Sequence, residues 1–558
     1  MNKSSQSNLL KLDFNERSDK LNPLVKEFSY GESLWRYPDR KPLEARLAEL
    51  NNLSPNQVLC TNGGDEAIMI LMRLIKEQLL KDGTKLILPL PAFSQYTWGV
   101  ESWELDTIAI QSTEALVVDT VETFKQIKSN KNAITILTRP NNPTGESISK
   151  NILIDLISAS QETNGWVFLD EAYIEFSDEE SAENDLLSQF DNLIILRTFS
   201  KAYGLAGIRL GYILGNENLI NEFKQRCMPF NIPVPSLQIA MRALTLESQK
   251  EMNEYCQSIR INRKIIVDWF EGTGIKVFPS QSNFVLLNLP TNQAQAAKSF
   301  MARNKILVRG FTEGELKNCL RITIPFKIER LLTVLEQCFY PKLVCMDMDG
   351  VLIDTSGSYD QCVIETVKLL SNKDIQLEQL DILRKQGGYN NDWVLSQKIL
   401  SDLEFNFSLK KVTNEFQKIY LGSSEITGLV KNETVLISNS FVNKIKQSTN
   451  TIFTVVTGRP RKEAISGQSM INLPSLDLIS LDDVENGKPS PEGIQKLQKK
   501  YSPFSWMCGD NPDDMQAAIA SNSLAIGIGT NKIESLYETG ADIVLNNINE
   551  LESWLCLK

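Results

Sequence analysis

An α/β chain with two sheet-bearing halves in tandem is predicted from three observations. Short β-branched runs end repeatedly in polar or Gly- and Pro-bearing turns, and stretches of helical periodicity lie between them. At residues 338–342 the segment CFYPK leads into a fresh apolar run, LVCMDMDGVLID, whose strand-like start gives way to a carboxylate-rich turn. A length of 558 residues leaves room for two large domains or three to four ordinary ones.

In the first half, DEAIMILMRLIKEQLLKDG (65–83) carries helical periodicity, whereas AITILTRP (133–140), WVFLDEAY (166–173) and NLIILRTFSKAYG (192–204) read as strands running into turns. Alternation of this kind predicts buried, mainly parallel strands, with functional residues where the strands end. In the second half, residues 355–432 are mostly polar and helical in pattern. Strand-like runs resume at 451–457 (TIFTVVT), near 505–508 and at 523–527, so a helical insertion interrupts a sheet domain. The expected division is 1–340 and 341–558, with the insertion at about 355–432.

Composition narrows the function classes. With 58 Lys plus Arg against 69 Asp plus Glu, the formal charge is -11, which disfavours loose attraction to nucleic acid or anionic membranes. Phosphate must then be met by local sites. The cluster GRPRK (458–462) reads accordingly as a phosphate-facing loop or a solvated turn. Nine cysteines, at 60, 227, 256, 319, 338, 345, 362, 508 and 556, form no C-x-x-C pair and read as reduced thiols, Cys345 and Cys508 being structural. The start of the chain has no apolar run of signal-peptide length and no stretch approaches a membrane span, so a cytoplasmic protein is expected. Histidine is absent altogether, which removes imidazole bases and His-bound metals. Acid-base work falls to Lys, Asp, Glu, Tyr or Cys.

Four motifs in the first half follow strand-like runs in order: NGGDEAI (62–68), RPNNPTGE (139–146), FLDEAYIEF (168–176) and TFSKAYGLAGIRLGY (198–212). Together they meet the needs of a pyridoxal phosphate site. Such a site takes a lysine amine to hold the cofactor, here Lys201, and a buried carboxylate to keep the pyridine nitrogen protonated, here Asp170. Asn142 and Tyr173 can serve the ring's phenolic oxygen. Gly64 and Asp65 at a helix start, with Ser200 and Arg209, offer backbone N–H, hydroxyl and guanidinium to the phosphate.

These motifs resemble the fold type I aminotransferases, closest to the histidinol-phosphate aminotransferases, over about residues 10–340. The resemblance implies the large and small domains of that fold. It further implies that Tyr37 in RYPD reaches the cofactor phosphate of a neighbouring subunit in a homodimer, and that Phe93 stacks on the ring where relatives commonly have tyrosine. Arg321 in LRIT would clamp the α-carboxylate of the amino donor, and Asn15 in DFNER would lie near the substrate. LDFNERSD lacks the Pro and Gly common after the family's N-E, and LRITIP lacks its usual glycine.

In the second half MDMDGVLID (346–354) presents Asp347 and Asp349, TVVTGRPR (454–461) presents Thr457, NGKPSPEG (486–493) presents Lys488, and CGDNPDDMQAA (508–518) presents Asp510, Asp513 and Asp514. In this order they resemble the haloacid dehalogenase phosphatases, a Rossmann-like domain with a helical cap. The resemblance implies Asp347 as nucleophile and Asp349 as acid and then base. Mg²⁺ would be held by Asp347, Asp349 (through its backbone carbonyl), Asp510 and Asp514, the last matching the family spacing better than Asp513. Thr457 and Lys488 would grip the phosphoryl oxygens, and GGYNNDW (387–393) is a candidate substrate loop or else a polar turn of the cap.

The function so implied is a bifunctional enzyme acting on small phosphorylated substrates and glutamate, with no nucleic-acid or membrane partner. It would transaminate imidazole-acetol phosphate to histidinol phosphate and release phosphate from a monoester, the same product being the natural candidate. The alternatives are a transaminase or decarboxylase for another phosphorylated amino compound, with an unrelated phosphatase domain, or a cofactor-binding regulatory protein with one inert site.

Overall fold

A computed structural model describes residues 10–15, 19–20, 23, 37–113, 115–385, 391–423 and 426–555. Residues 387–390 of GGYNNDW, and Cys556, lie outside the described residues. The chain forms two compact units, Met1–Glu271 with Ile275–Leu289 and Lys305–Leu331, and Gly272–Gly274 with Pro290–Asn304 and Leu332–Lys558. The second unit thus takes in two short stretches from before residue 332. Residues 290–304 group with the second unit because Arg303 pairs with Asp542 at 2.5 Å and the Thr291 carbonyl accepts from the Trp554 indole at 3.0 Å.

The first unit holds a seven-stranded sheet in the order Val58–Thr61, Gly211–Gly215, Leu193–Thr198, Trp166–Asp170, Ile134–Thr138, Leu86–Pro89, Thr107–Ile110. All its pairings are parallel except the two made by Gly211–Gly215. The central strands are buried throughout, which is why they read as unbroken apolar runs. The predicted helix is observed at Gly63–Asp82 and ends on Gly83 at φ 73°, a left-handed stop that favours glycine. Its apolar stripe, including Ile68, Leu71 and Ile75, packs on this sheet. A five-stranded sheet, in the order Leu10–Leu12, Ile306–Gly310, Cys319–Thr323, Phe284–Asn288, Lys276–Val277, completes the unit.

The second unit is built on six parallel strands ordered Asp477–Ile479, Ile452–Val456, Leu343–Met346, Trp506–Gly509, Leu524–Ile528, Ile543–Leu545. Cys345 and Cys508 are buried on adjacent strands, as expected of structural thiols. Between the first and second of these strands in sequence lies a helical segment with Gln361–Ser371, Leu377–Lys385, Asp392–Asp402 and Leu409–Leu421, followed by the helix Asn439–Gln447. Val363, Val367, Leu395, Leu400, Val412 and Phe416 give the first four of these helices an apolar core of their own. Among the described residues no helix is long and apolar enough to cross a membrane.

Candidate active sites

Three adjacent parallel strands of the first unit deliver their carboxyl ends to one place. Asp170 closes Trp166–Asp170, Asn142 follows Ile134–Thr138, and Ser200 and Lys201 follow Leu193–Thr198. The turn that carries Asn142 is fixed from behind by the buried Arg139, whose side chain donates to the Ile148 carbonyl at 2.8 Å and pairs with Glu171 at 3.3 Å and Glu179 at 2.9 Å. Together with the start of helix Gly63–Asp82 these ends enclose a cavity of about 560 Å³. It is lined by Asn15, Gly64, Asp65, Phe93, Asn142, Asp170, Tyr173, Ser200, Lys201, Arg209 and Arg321, all residues expected from the sequence.

Asp170 is buried, and burial raises its pKa against the opposing pull of the Tyr96 hydroxyl, the Ala172 amide and Lys201. Tyr96 donates to Asp170 Oδ2 at 2.7 Å and is a residue that the sequence reading missed. Its signal was the helical spacing that puts Tyr96 three residues after Phe93, and the two rings meet edge to face at 6.2 Å. Tyr173 receives hydrogen bonds from Asn15 Nδ2 at 3.0 Å and Asn142 Nδ2 at 3.4 Å. Asn15 is further tied by Thr323, which donates to its Oδ1 at 2.9 Å, so its amide is occupied in holding Tyr173.

Lys201 Nζ donates to the Phe14 carbonyl at 3.0 Å and stands 5.6 Å from the Tyr173 ring. Arg209 pairs with Asp65 at 2.7 Å, so Asp65 contributes a side chain as well as a place at the helix start. Gly63 explains the close approach: a Cβ there would lie 2.6 Å from Arg209 Nη2, at a φ of +72°. Arg321 donates to Asn142 Oδ1 at 2.5 Å and to the Asp13 carbonyl at 2.8 Å, while its buried Nε has no hydrogen-bond partner among the described residues. A guanidinium edge left open in a cavity suits a carboxylate ligand. Arg309, register partner of Arg321, adds a second guanidinium to the wall that the sequence reading did not single out. Tyr37 does not line this cavity; it is 81% exposed and stacks on Phe230 at 4.6 Å. An acid for a ring nitrogen, donors for a phenolic oxygen, an amine, and a cationic helix start suit pyridoxal phosphate.

In the second unit the central strand Leu343–Met346 lies between Ile452–Val456 and Trp506–Gly509, so Asp347, Thr457 and Asp510 emerge side by side. Lys488 is buried between carboxylates, 2.8 Å from Asp347 Oδ1 and 2.5 Å from Asp514 Oδ1. Burial raises the Asp347 pKa, Lys488 opposes that, and Asp514 and Asp349 reinforce it. Carboxylate oxygens of Asp347, Asp510 and Asp514 lie within 4.8 Å of one another, an all-oxygen donor set that suits a hard divalent cation. Asp513 is not in this group. Asp514 Oδ2 accepts from the Asn511 amide at 3.1 Å in a capping box, which sets its rotamer. Thr457 Oγ1 accepts from the Arg459 amide at 3.2 Å.

Within GRPRK, Arg461 and Lys462 are exposed, as a solvated turn predicts, and Arg459 departs from that reading. Only 2% exposed, it is neither solvated nor facing the neighbouring cavity of about 420 Å³, and ion pairs with Asp349 and Glu433 account for its burial. That cavity is lined by Asp349, Asp510 and Lys532 from the sheet domain and by Tyr359, Arg384 and Asp392 from the helical segment. Arg384 bridges Asp360 and Asp392, and burial pushes the Asp392 carboxyl up to about 6 in spite of that pairing.

Comparison with known proteins bears on both sites. The profile described as "Aminotransferase class I and II" matches residues 8–336. The chain belongs to the class I and II aminotransferases. A second profile, "Haloacid dehalogenase-like hydrolase", matches residues 344–528, so this aminotransferase carries a C-terminal hydrolase domain of that kind. Among its curated relatives, the histidinol-phosphate aminotransferase of Thermoanaerobacter sp. (strain X514) is 33% identical over 291 residues, 52% of this chain and 79% of that protein. That of Buchnera aphidicola subsp. Cinara cedri is 31% identical over 308 residues, 54% of this chain and 85% of that protein. The aminotransferase fold is shared with the histidinol-phosphate aminotransferase of Sinorhizobium meliloti solved with pyridoxal-5'-phosphate, at a TM-score of 0.52 and 24% identity over 59% of this chain and 89% of that one. The chain is thus an aminotransferase joined to a haloacid dehalogenase-like hydrolase, and pyridoxal phosphate is the cofactor of its first family.

Proposed function

We propose that the chain transfers an amino group from glutamate to imidazole-acetol phosphate, giving histidinol phosphate and 2-oxoglutarate, and then hydrolyses that phosphate ester, two steps of histidine synthesis. The observation that carries the first step is the meeting of Lys201, Asp170 and an Arg321 with an open Nε in one cavity. The names of the curated relatives support the substrate, and Arg309 on the cavity wall suits a phosphate end. We place the working boundary between the two enzymes near residue 340 and the cap at about 355–432. A homodimer is part of the proposal, supported by Tyr37, which lies exposed outside its own chain's cavity. A cytoplasmic location is supported by the free cysteines.

Pyridoxal phosphate, when bound, supplies an electron sink for exchange of the amino group. The amides of Gly64 and Asp65, with Ser200 and Arg209, would bind its phosphate, and Asp170 would hold a proton at the ring nitrogen. Asn142 and Tyr173 would orient the phenolic oxygen, and Phe93 would cover the ring. Lys201 would hold the cofactor and move the proton at the substrate α-carbon, while Arg321 clamps the α-carboxylate and Asn15 fixes Tyr173.

At the second site an Asp347 carboxylate oxygen would attack phosphorus. The new O–P bond forms as the ester P–O bond breaks, and Asp349 gives its proton to the departing alkoxide. Water then attacks the same phosphorus, Asp349 takes its proton, and phosphate leaves with Asp347 restored. Thr457 and Lys488 would hold the phosphoryl oxygens. Asp347, the Asp349 carbonyl, Asp510 and Asp514 would hold Mg²⁺, whose charge offsets that of the anions.

The test follows 2-oxoglutarate formation and phosphate release in parallel over a panel of phosphorylated oxo and amino compounds. Asp347→Asn should stop phosphate release, an amide being a poor nucleophile, and let histidinol phosphate accumulate. An intact protein that makes histidinol phosphate but never cleaves it in Mg²⁺ would refute the consecutive steps. Turnover without glutamate would point to a decarboxylase.

A further inference from the structure

We infer that Arg459 is a positioning residue of the phosphatase reaction, which aims one oxygen of Asp349 at the leaving group by gripping the other. The inference rests on the proposed reading of Asp349 as the acid. Arg459 Nε donates to Asp349 Oδ1 at 2.7 Å, Nη2 stands 2.6 Å from the same oxygen as an ion pair, and no hydrogen bond from a described residue occupies Oδ2. Asp349 lines the cavity and Arg459 does not, so the guanidinium acts through the carboxylate and not on the substrate.

Rigidity is built in behind the pair. Arg459 makes a two-bond fork with the buried Glu433, Nη1 to Oε2 at 3.2 Å and Nη2 to Oε1 at 3.1 Å. Glu433 Oε1 also accepts from Tyr420 at 2.9 Å and Ser358 at 3.1 Å, and the guanidinium lies 5.1 Å from the Tyr359 ring. Tyr420 belongs to the helical segment at Leu409–Leu421 and Tyr359 to its entrance at Ser356–Asp360. The Arg459 backbone amide meanwhile holds Thr457 Oγ1. One residue of the loop after Ile452–Val456 therefore sets the acid and the phosphate-gripping hydroxyl against a frame supplied by the helical segment.

An acid matters most when the departing oxygen is a poor leaving group. An alkyl ester needs the proton and p-nitrophenyl phosphate does not, and kcat/KM reports the steps through release of the alcohol. Arg459→Gln in the full chain should lower kcat/KM for histidinol phosphate and glycerol 3-phosphate by about a hundredfold, while p-nitrophenyl phosphate changes by only a few-fold. Arg459→Lys keeps the charge but loses the fork and should fall between. Because the single variant strands the Glu433 charge, Arg459→Gln/Glu433→Gln is the companion, with the same selective loss expected. Equal loss on both ester types, no loss, a gain on alkyl esters, or a wild-type enzyme that cleaves only the aryl ester would overturn the inference. Asp349→Asn separates the two levels. If it lacks the leaving-group dependence, the reading of Asp349 has failed; if it shows the dependence and Arg459→Gln does not, only the role of Arg459 has failed.

Discussion

At Asp170, burial opposes the charge that a pyridine-nitrogen partner must carry and raises its pKa, while the Tyr96 hydroxyl, the Ala172 amide and Lys201 work against that rise. A buried carboxylate without such donors favours its neutral form. Tyr96→Phe deletes one donor and leaves the ring in place. It should retain bound cofactor, read by its visible absorbance, yet slow single-turnover amino transfer about tenfold, the size of one hydrogen bond to a charged group. An unchanged rate would show that Tyr96 only packs.

Gly350, in the turn after Leu343–Met346, bears on the proposed metal site without supplying a ligand side chain to it. The turn runs at φ +72°, and a Cβ at Gly350 would sit 2.4 Å from Asp510 Oδ2. Gly350→Ala should push Asp510 off its position and raise the Mg²⁺ concentration that half-saturates phosphate release by about tenfold, the scale of a displaced supporting contact. A titration identical to wild type would mean that Asp510 can move freely without weakening the site. Most of this turn was legible beforehand, since a Gly after two aspartates at a strand end already marks a tight corner. The partner of the glycine was not legible, because Asp510 lies 160 positions away in sequence on the neighbouring strand.

Across the whole molecule each candidate site lies within its own unit, with its own sheet and its own residues. Lys201→Ala should abolish transamination and leave phosphate release intact, whereas chelation of Mg²⁺ should stop phosphate release without bleaching the cofactor absorbance. Loss of both activities in either experiment would show that the two chemistries share machinery.

The amino-acid sequence by itself determined the two α/β halves, the helical insertion and eleven of the residues that line the first cavity, but of the phosphatase-site residues it marked only Asp349 and Asp510 line the second. Most of these residues, such as Asp170, Asn142, Lys201, Asp349 and Asp510, stand at or just after a buried strand, and strand ends are written locally, in an apolar run that breaks into Gly, Pro or carboxylates. Tertiary structure alone decided which groups condition them. Tyr96 reaches Asp170 across the sheet edge, Arg309 faces Arg321 only through strand register, and residues 290–304 join the second unit through Arg303 and Thr291. Arg459 looked like part of a solvated basic turn because a charge run usually is one. Its burial depends on Glu433 and Asp349, 26 positions before it and 110 positions before it in the chain, and pairing between distant charges leaves no periodic mark in a sequence.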